Sequence, residues 1–381
     1  MPYLQYVNAN EVVIIGGGLA GLTAAIDLAM RGKQVLVIEK NTYPHHKVCG
    51  EYVSNEVRPY LQHLGLNLEA TTQVNINNLQ LGTYSGKNIE VSLPLGGFGI
   101  SRYQLDYQLY ELARKRGVDF LFETVQELEF TNNEFFISLS SNEKLLAKVV
   151  IGAFGKRSNI DKKLNRPFIS KKSAWLAVKC HYKNYNFPDD LVSLQTFPGG
   201  YGGLSKIENG NINFCYLVRY NDFKKWGSIK EFEEQVLTKN KVLDHFLKSA
   251  KPVFEKPLSI AQISFDKKDA IENHIVMCGD TAGLIHPLCG NGMAMAIHSA
   301  KIAADGINKY LENKEYSRKT MEIEYKQAWT RQFQKRLRMG RFLQSLMLHT
   351  NWFDFTLSTL ASSRIMLMGV ISGTHGKPIL Q

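Results

Sequence analysis

The chain has 381 residues, of which 44% are hydrophobic and 21% charged, the proportions of an ordinary globular protein long enough for two lobes. Its net charge of +11 is compatible with an anionic membrane face, an acidic electron-carrier protein or nucleic acid, and the motif described next argues against nucleic acid. The chain has no signal-peptide pattern, no apolar run long enough to span a bilayer, and five cysteines without CxxC or metal-ligand spacing, which predicts a cytoplasmic protein with free thiols and no metal site.

A glycine turn lies between a predicted strand at residues 12–15 and a predicted helix at residues 19–30. Its glycines have GxGxxG spacing: Gly16, Gly18 and Gly21. The first permits a tight turn, the second lets a pyrophosphate approach the backbone, and the third lets the helix lie closely on the strand. The free N–H groups at the helix N-terminus favour phosphates. The turn predicts a dinucleotide site rather than a plain βαβ turn, and its place near the start of the sequence favours FAD over NAD(P).

The second predicted strand, at residues 35–38, ends on Glu39. A carboxylate there can accept hydrogen bonds from a ribose. Residues 41–54 are predicted to form a loop, because they include proline, glycine and two histidines. In this loop Cys49 and Gly50 could place a thiol and a closely approaching backbone beside a flavin. The alternative for Cys49 is a small buried hydrophobe.

Residues 93–99, LPLGGFG, are predicted to form a loop, and a helix is predicted to begin near residue 102 and end at 116. Arg102, at the start of this helix, can reach a flavin or a pyrophosphate, or it can be an exposed residue of the first turn. Hairpin strands over residues 130–150 lead back to a buried strand and a tight turn at 149–159.

Residues 171–263 are predicted to form a second lobe built on an antiparallel sheet. A glycine-rich loop is predicted at residues 198–204 and a helix at residues 229–250. Such a sheet commonly covers a ligand with one face and meets solvent with the other. The β-rich segments are residues 173–181, 191–196 and 212–220.

A second glycine-rich motif follows a predicted strand at residues 275–278. Asp280 can hydrogen-bond a sugar-alcohol hydroxyl, or it can cap the following turn. A helix is predicted to begin near Gly292 and Met293, where its positive dipole end would stabilise negative charge on a reduced flavin. This motif therefore has the same kinds of component as the first glycine motif: a strand end, an acidic residue, a glycine loop and a helix N-terminus.

With these motifs in order, the chain resembles the geranylgeranyl reductase and aromatic hydroxylase (p-hydroxybenzoate hydroxylase-like) superfamily of FAD-dependent oxidoreductases over most of residues 11–310. The resemblance implies an α/β fold: a Rossmann-like FAD-binding domain, an inserted α+β substrate domain on an antiparallel sheet, and a helical C-terminal tail. It also implies that Arg102 lies near FAD, that Asp280 holds the ribityl chain, and that Cys49 lies against the isoalloxazine as in the reductase branch. The implied FAD contacts are Gly16, Gly18, Gly21, Glu39, Lys40, Cys49, Gly50, Arg102, Val125, Gly279, Asp280, Pro287, Gly290, Gly292 and Met293.

Two positions depart from the superfamily pattern. Its third motif usually carries Asp-Gly before a later serine, whereas this chain has Phe154 and Gly155 before Ser158. That aspartate is linked in the hydroxylases to the handling of NADPH, so its absence argues against direct reduction by NADPH. The reductases usually follow their tyrosine with Trp-x-Phe-Pro, whereas Tyr201 is followed by Gly-Gly-Leu-Ser, which implies a different substrate pocket. The absence of a WxWxIP stretch argues against halogenation.

The C-terminal part is basic and then apolar. Residues 326–341 carry six lysines and arginines and no acid, and residues 342–371 are rich in Leu, Met, Phe and Trp. This pattern is typical of association with a membrane surface, here through Lys326 to Ile371. The alternative is that these helices pack on the second lobe and close the substrate pocket. Both interpretations favour a lipophilic substrate.

The sequence therefore predicts an FAD-dependent oxidoreductase for a lipophilic small molecule, isoprenoid or polyketide-like, with C=C reduction favoured over hydroxylation of an aromatic ring. A third alternative is a non-catalytic flavin-binding or electron-relay protein. Cys49 and Tyr201 are the candidate proton donors beside water, and the reductant is NAD(P)H or an electron-carrier protein. The expected location is the cytoplasm, free or peripheral to the inner face of the membrane. The predicted domains are 1–170 with 264–310 for FAD, 171–263 for substrate, and a helical region at 311–381, with part of 60–100 assignable to either lobe.

Overall fold

The computed structural model describes residues 9–171, 173–348, 369, 373 and 376–379. In this part of the chain the helices are α1 (Leu19–Met30), α2 (Arg58–His63), α3 (Leu68–Thr71), α4 (Arg102–Lys115), α5 (Asn159–Lys163), α6 (Tyr220–Phe223), α7 (Ile229–Gln235), α8 (Lys241–Ser249), α9 (Gly292–Glu312) and α10 (Arg318–Leu348). The strands are β1 (Ala9–Ile15), β2 (Val35–Ile38), β3 (Tyr52–Ser54), β4 (Asn75–Gly82), β5 (Asn88–Gly99), β6 (Asp119–Leu121), β7 (Val125–Thr131), β8 (Glu134–Leu139), β9 (Lys144–Gly152), β10 (Trp175–Lys183), β11 (Leu191–Phe197), β12 (Gly200–Lys206), β13 (Ile212–Arg219), β14 (Lys251–Pro252), β15 (Leu258–Ala261), β16 (Ile271–Glu272) and β17 (Ile275–Met277).

The first sheet has the order β16-β17-β9-β1-β2-β6, with the β7–β8 hairpin attached to β9. The strand β1 lies at its centre and pairs in parallel with β2 and β9. Residues Val12 to Ile15 are buried on both sides, which is why this strand is a continuous apolar run rather than an alternating one. The helix α1 packs against α4 and α9. This is the α/β architecture that the sequence predicted.

The second sheet has the order β14-β10-β13-β12-β11-β4-β5-β3, with β15 also paired to β10. It is antiparallel except where β4 meets β11. One face packs on α7 and α8: alternate β10 residues such as Leu176 and Val178 join Phe232 and Phe246 in one core. The other face carries Trp175, Ala177 and Lys179 in the alternate positions. Over β10 and β13 the helices α7 and α8 cover the face that was expected to meet solvent. In β4 and the first half of β5 exposed and buried residues alternate, so there the expectation holds.

Four local predictions are also wrong, the first being that residues 52–54 belong to a loop, since they form β3. Residues 93–99 belong to β5, and residues 200–204 belong to β12, although both were predicted to be loops. The expected helix at 229–250 is interrupted between α7 and α8. Both β5 and β12 contain glycines because other backbone segments approach them closely. A Cβ on Gly99 would overlap the carbonyl oxygen of Lys206, and a Cβ on Gly200 would overlap that of Leu217.

The strands of the second sheet come from two separate stretches of the chain. The segment 171–263 supplies β10 to β15, while β3, β4 and β5 come from residues 52–99. Of residues 60–100, whose lobe the sequence left open, β4 and β5 lie in the second sheet. The domain boundaries remain a proposal.

Candidate functional site

The turn between β1 and α1 requires glycine at two positions. Gly16 has φ +105°, a left-handed conformation, and a Cβ there would overlap the carbonyl oxygen of Ala153, the residue after β9. A Cβ on Gly21 would overlap the carbonyl oxygen of Gly16. Because Gly16 and Gly21 carry no side chains, α1 can lie directly against the end of β1.

Gly18 is different, because the space above it is open and faces two cations. The nearest atoms to a Cβ built on Gly18 are Nη2 of Arg102, at 3.7 Å, and Nζ of Lys47, at 3.8 Å. Both side chains are paired with the buried carboxylate of Asp106. Burial lowers the pKa of Arg102, but Asp106 raises it by more, so the guanidinium keeps its charge. Two cations beside an open glycine and a helix N-terminus form an arrangement suited to a pyrophosphate.

Glu39 ends β2 beside the same turn. Its Oε2 accepts a hydrogen bond from the backbone N–H of Gly17 at 2.8 Å, and its Oε1 accepts one from the N–H of Asn41 at 3.1 Å. The hydroxyl of Tyr43 donates to the carbonyl of Gly17 at 2.5 Å. Lys40, by contrast, is exposed.

The Asp280 turn lies against the start of α1. Gly279 has φ +61°, and a Cβ there would be 3.1 Å from Cβ of Ala20 and 3.4 Å from Cβ of Ala296. Arg102 lies close enough to Asp280 and Cys49 for both to contribute to the rise in its pKa, after the larger effect of Asp106. The structure thus brings together the glycine turn, the Cys49 loop and the Asp280 turn.

Lys268 joins the Asp280 turn to the turn after β9. Its Nζ donates to the carbonyl of Asp280 at 2.8 Å and to that of Lys156 at 2.9 Å. Burial lowers the pKa of Lys268 to about 8. The backbone N–H of Gly155 donates to Oγ1 of Thr281 at 2.8 Å, which links the same two turns a second time.

The remaining predicted contacts are spread along this region. Pro287 is exposed, Met293 is buried in the first turn of α9, and Gly292 begins that helix. Gly290 has φ +62° and lies against the ring of Tyr52. Val125 is buried at the first residue of β7.

Cys49 is partly buried, and its neighbour Gly50 is exposed, with no atom within 4 Å of the position that a Cβ would take. The carbonyl of Cys49 accepts a hydrogen bond from Nδ2 of Asn213 at 3.2 Å. The carbonyl of Val48 accepts one from Nζ of Lys156 at 3.2 Å. The loop is therefore held by β13 and by the turn after β9, and it leaves open space at Gly50.

Tyr201 lies in β12 within an apolar cluster between the second sheet, the Cys49 loop and the Asp280 loop. Burial raises the pKa of Tyr201 well above its usual value. Its ring centroid is 6.0 Å from that of His286, whose pKa is lowered by burial to about 3. The buried members of this cluster are Trp175, Ala177, Tyr201, Leu217, Ile263, Phe265 and Leu284, with Val48, Leu81, Leu194 and Ile260 packed against them.

A family model described as "FAD binding domain" matches residues 9–322. The chain belongs to this family. The flavoprotein is accordingly an FAD-dependent oxidoreductase, as its sequence indicated. Its residues fit the cofactor, because the open space at Gly18 with its two cations suits a pyrophosphate and the exposed Gly50 leaves room beside Cys49.

Two curated relatives are reductases by name. The flavoprotein is 26% identical to a digeranylgeranylglycerophospholipid reductase of Methanocaldococcus jannaschii, over 84% of this chain and 82% of the relative. It is 22% identical to a menaquinone reductase of Mycobacterium tuberculosis, over 78% of this chain and 76% of the relative.

Solved structures show the same fold. A geranylgeranyl bacteriochlorophyll reductase-like protein from Thermoplasma acidophilum has a TM-score of 0.76 at 20% identity, covering 97% of both chains. The flavin-dependent halogenase CmlS has a TM-score of 0.79 at 19% identity, covering 99% of this chain and 75% of the halogenase. The fold is therefore shared by reductases and halogenases and does not distinguish between their reactions.

Sequence reasoning missed four charged residues at this site: Lys47, Glu51, Lys179 and Lys268. Lys47 precedes Cys49 by two residues, so its place in the loop was a usable signal. Glu51 and Lys179 are 128 residues apart in sequence and meet only in the folded chain.

The helix α10 packs beside the site with one face. The hydroxyl of Tyr325 donates to the carbonyl of Met277 at 2.6 Å, and Gly340 lies against the backbone of His286. Arg336, counted among the basic residues of the tail, is buried and pairs with Glu56 at 3.0 Å. None of the helices among the described residues combines the length and apolar character required to cross a bilayer. Most of the apolar segment after residue 348 lies outside the described residues.

Proposed function

We propose that this flavoprotein reduces a C=C bond of a lipophilic small molecule, isoprenoid or polyketide-like. The observation that carries the proposal is the apolar cluster around Tyr201, which includes Val48 of the Cys49 loop and Leu284 of the Asp280 loop. An apolar substrate resting on this cluster would meet the open side of the Cys49 loop, where the resemblance places the isoalloxazine.

The names of the two relatives support this class of substrate. One specifies a geranylgeranyl phospholipid and the other a quinone, and both specify reduction. Neither name decides the substrate of this chain, because the identities are low and the glycines after Tyr201 imply a different pocket.

The geometry of the glycine turn supports the central members of the proposed FAD contacts. Gly16, Gly18 and Gly21, with Arg102 and Lys47, would hold the pyrophosphate, and Glu39 would accept from a ribose. The other proposed contacts are Lys40, Cys49, Gly50, Val125, Gly279, Asp280, Pro287, Gly290, Gly292 and Met293.

FAD held by these residues would, once reduced, supply a hydride to one carbon of the double bond. The chain must then deliver a proton to the other carbon, so that two hydrogens are added in total. Tyr201 is one candidate for this donor, because burial raises its pKa and keeps the phenol protonated. Cys49 is the second candidate, since its thiol lies in the loop beside Arg102.

The test is a single-turnover reaction. The chemically reduced flavoprotein is mixed without oxygen with candidate isoprenoid and quinone lipids, and flavin reoxidation and product mass are followed. A product heavier by two hydrogens supports reduction, with Tyr201→Phe and Cys49→Ala slowing the proton-dependent step by about 10²-fold or more for the true donor. Substrate-stimulated uptake of oxygen with an oxygenated product would instead establish hydroxylation, and reoxidation by a protein carrier without any lipid product would establish an electron relay.

The reductant is proposed to be an acidic electron-carrier protein or NAD(P)H. The net charge of +11 favours the acidic protein. Phe154 stands where the hydroxylases carry an aspartate, and it packs on the apolar core of the first sheet, so it offers no charge to a nicotinamide cofactor. Comparing flavin reduction rates with NADH, NADPH and a reduced ferredoxin would distinguish these donors.

We also propose that the protein associates peripherally with an anionic membrane face. Its support is an exposed basic surface on α10, called here the α10 stripe: Arg331, Lys335, Arg338 and Arg341. None of the four forms a salt bridge within the described part of the chain.

A further inference from the structure

Three successive carbonyl oxygens of the Cys49 loop are each held by a different side chain. The carbonyl of Lys47 accepts a hydrogen bond from Nζ of Lys179 at 3.1 Å. The next two, at Val48 and Cys49, accept from Lys156 and Asn213, as described above. The donors come from β10, from the turn after β9 and from β13, so the loop is tied to both sheets at once.

Glu51 closes the same loop and connects it to two further elements. Its carboxylate accepts from Nζ of Lys179, lies 2.7 Å from Nε2 of His181, and accepts from the backbone N–H of Arg102 at 2.7 Å. The last contact reaches the first residue of α4, which carries the guanidinium above Gly18. Glu51, Lys179 and His181 are called here the Glu51 network.

The cost of this arrangement indicates a role beyond folding. Glu51 and Lys179 are both fully buried, and Glu51 has φ +56°, a conformation that non-glycine residues rarely adopt. A buried ion pair contributes little net stability compared with a well-packed apolar pair of similar volume. Backbone strain of this kind persists where the surroundings impose it, and it is concentrated at functional sites.

We propose that Lys179 and Glu51 are positioning residues that set the place of Cys49 and of Arg102 relative to the bound flavin. The proposal rests on the proposed function only in placing Cys49 at the flavin. Lys179 acts through the backbone of the Cys49 loop, and Glu51 acts by orienting Lys179 and the first turn of α4.

The test separates positioning from charge balance with two variants of the purified flavoprotein. Lys179→Met leaves Glu51 buried without its main cation, whereas Lys179→Met combined with Glu51→Gln removes both charges. Stability is expected to fall in the single variant and to recover in the double variant, because the unpaired buried charge is gone. The carbonyl of Lys47 lacks its donor in both.

Three measurements report the loop itself: hydrogen exchange of residues 45–54, alkylation of Cys49 followed by mass spectrometry, and the visible spectrum of bound FAD. Both variants are expected to exchange and alkylate at least about tenfold faster than the wild type, and to shift the flavin absorption bands. Arg318→Met is the matched control, because Arg318 is also a buried cation donating to backbone carbonyls, those of Asn133 and Lys148, far from the loop. It should leave all three measurements unchanged.

The proposal is overturned if the double variant regains both the stability and the flavin spectrum of the wild type, since the network would then only balance charge. It is also overturned if Cys49 alkylation and exchange stay at wild-type rates in Lys179→Met. If that variant does not fold, Asn213→Ala removes the donor to Cys49 without creating a buried charge, and the same increases are expected. These readouts need no substrate, so a failure to reduce lipids would leave the positioning result standing.

Discussion

The carboxylate of Asp106 holds Arg102 in a two-point ion pair, with Nε to Oδ1 and Nη2 to Oδ2 both at 2.7 Å. The same carboxylate accepts from Nζ of Lys47 at 2.9 Å. One buried acid therefore orients both cations above Gly18 while leaving the group with a net positive charge.

Asp106→Asn should weaken FAD binding by about tenfold or more, because the two cations lose the partner that orients them. It should also lower the free energy of unfolding by about 3–5 kcal/mol, since it leaves a buried guanidinium uncompensated. Flavin fluorescence titration and urea unfolding measure the two effects. Asp305→Asn, which weakens the exposed contacts of Asp305 with Arg31 and Lys301, is the control and should change stability by less than about 1 kcal/mol. Unchanged FAD affinity in Asp106→Asn would show that the pair does not organise the site.

Gly18→Ala and Gly21→Ala should separate ligand binding from folding. At Gly18 a methyl group has no atom closer than 3.7 Å, so stability should fall by less than about 1 kcal/mol while FAD affinity falls at least about tenfold. At Gly21 the methyl would overlap the main chain of Gly16, so the variant should lose about 1–3 kcal/mol or more. Thermal unfolding without FAD and titration with FAD compare the pair. Normal FAD affinity in Gly18→Ala would exclude the pyrophosphate from that position.

Glu233→Gln should stabilise the protein at neutral and alkaline pH only. Burial raises the pKa of Glu233 from 4.5 to about 7, and its carboxyl accepts from the hydroxyl of Tyr216 at 3.2 Å. Between these two pH values only the folded state binds the proton, so the free energy of unfolding of the wild type falls as pH rises through this window. The amide mimics the protonated acid and should gain up to about 3 kcal/mol above pH 7, with no difference below pH 4.5. A constant difference at all pH values, measured by urea unfolding, would contradict this assignment.

Replacing the four residues of the α10 stripe by glutamine should reduce binding to phosphatidylserine vesicles by about tenfold or more, because each basic side chain near an anionic surface contributes about 1 kcal/mol. The effect should shrink as salt rises. Vesicle co-sedimentation measures it, with phosphatidylcholine vesicles for comparison. A variant with four scattered exposed lysines changed to glutamine controls for net charge: Lys87, Lys162, Lys241 and Lys256. Equal loss in both variants would mean that only the total charge matters.

The parts of the fold that sequence predicted well are local ones. The glycine turn, Glu39 and the Asp280 turn each depend on a strand, a turn and a helix that are adjacent in sequence, so their pattern is visible there. Residues 93–99 of β5 and 200–204 of β12 were predicted to be loops because glycine breaks most strands, whereas here it allows close contact between backbone segments. Glu51 was missed because its partners Lys179 and His181 come from a strand far along the chain.

The route of the backbone also bears on how a long substrate gains entry. The described chain passes between the two sheets four times, from β2 to β3, β5 to β6, β9 to β10 and β15 to β16. Swinging one half away from the other would require all four connections to bend together, as well as the breaking of the contacts through Val48 and Leu284. For the proposed lipid substrate this predicts entry end-first, without separation of the two sheets, so that chain length and the position of its double bonds, more than the bulk of its headgroup, decide which molecules are accepted.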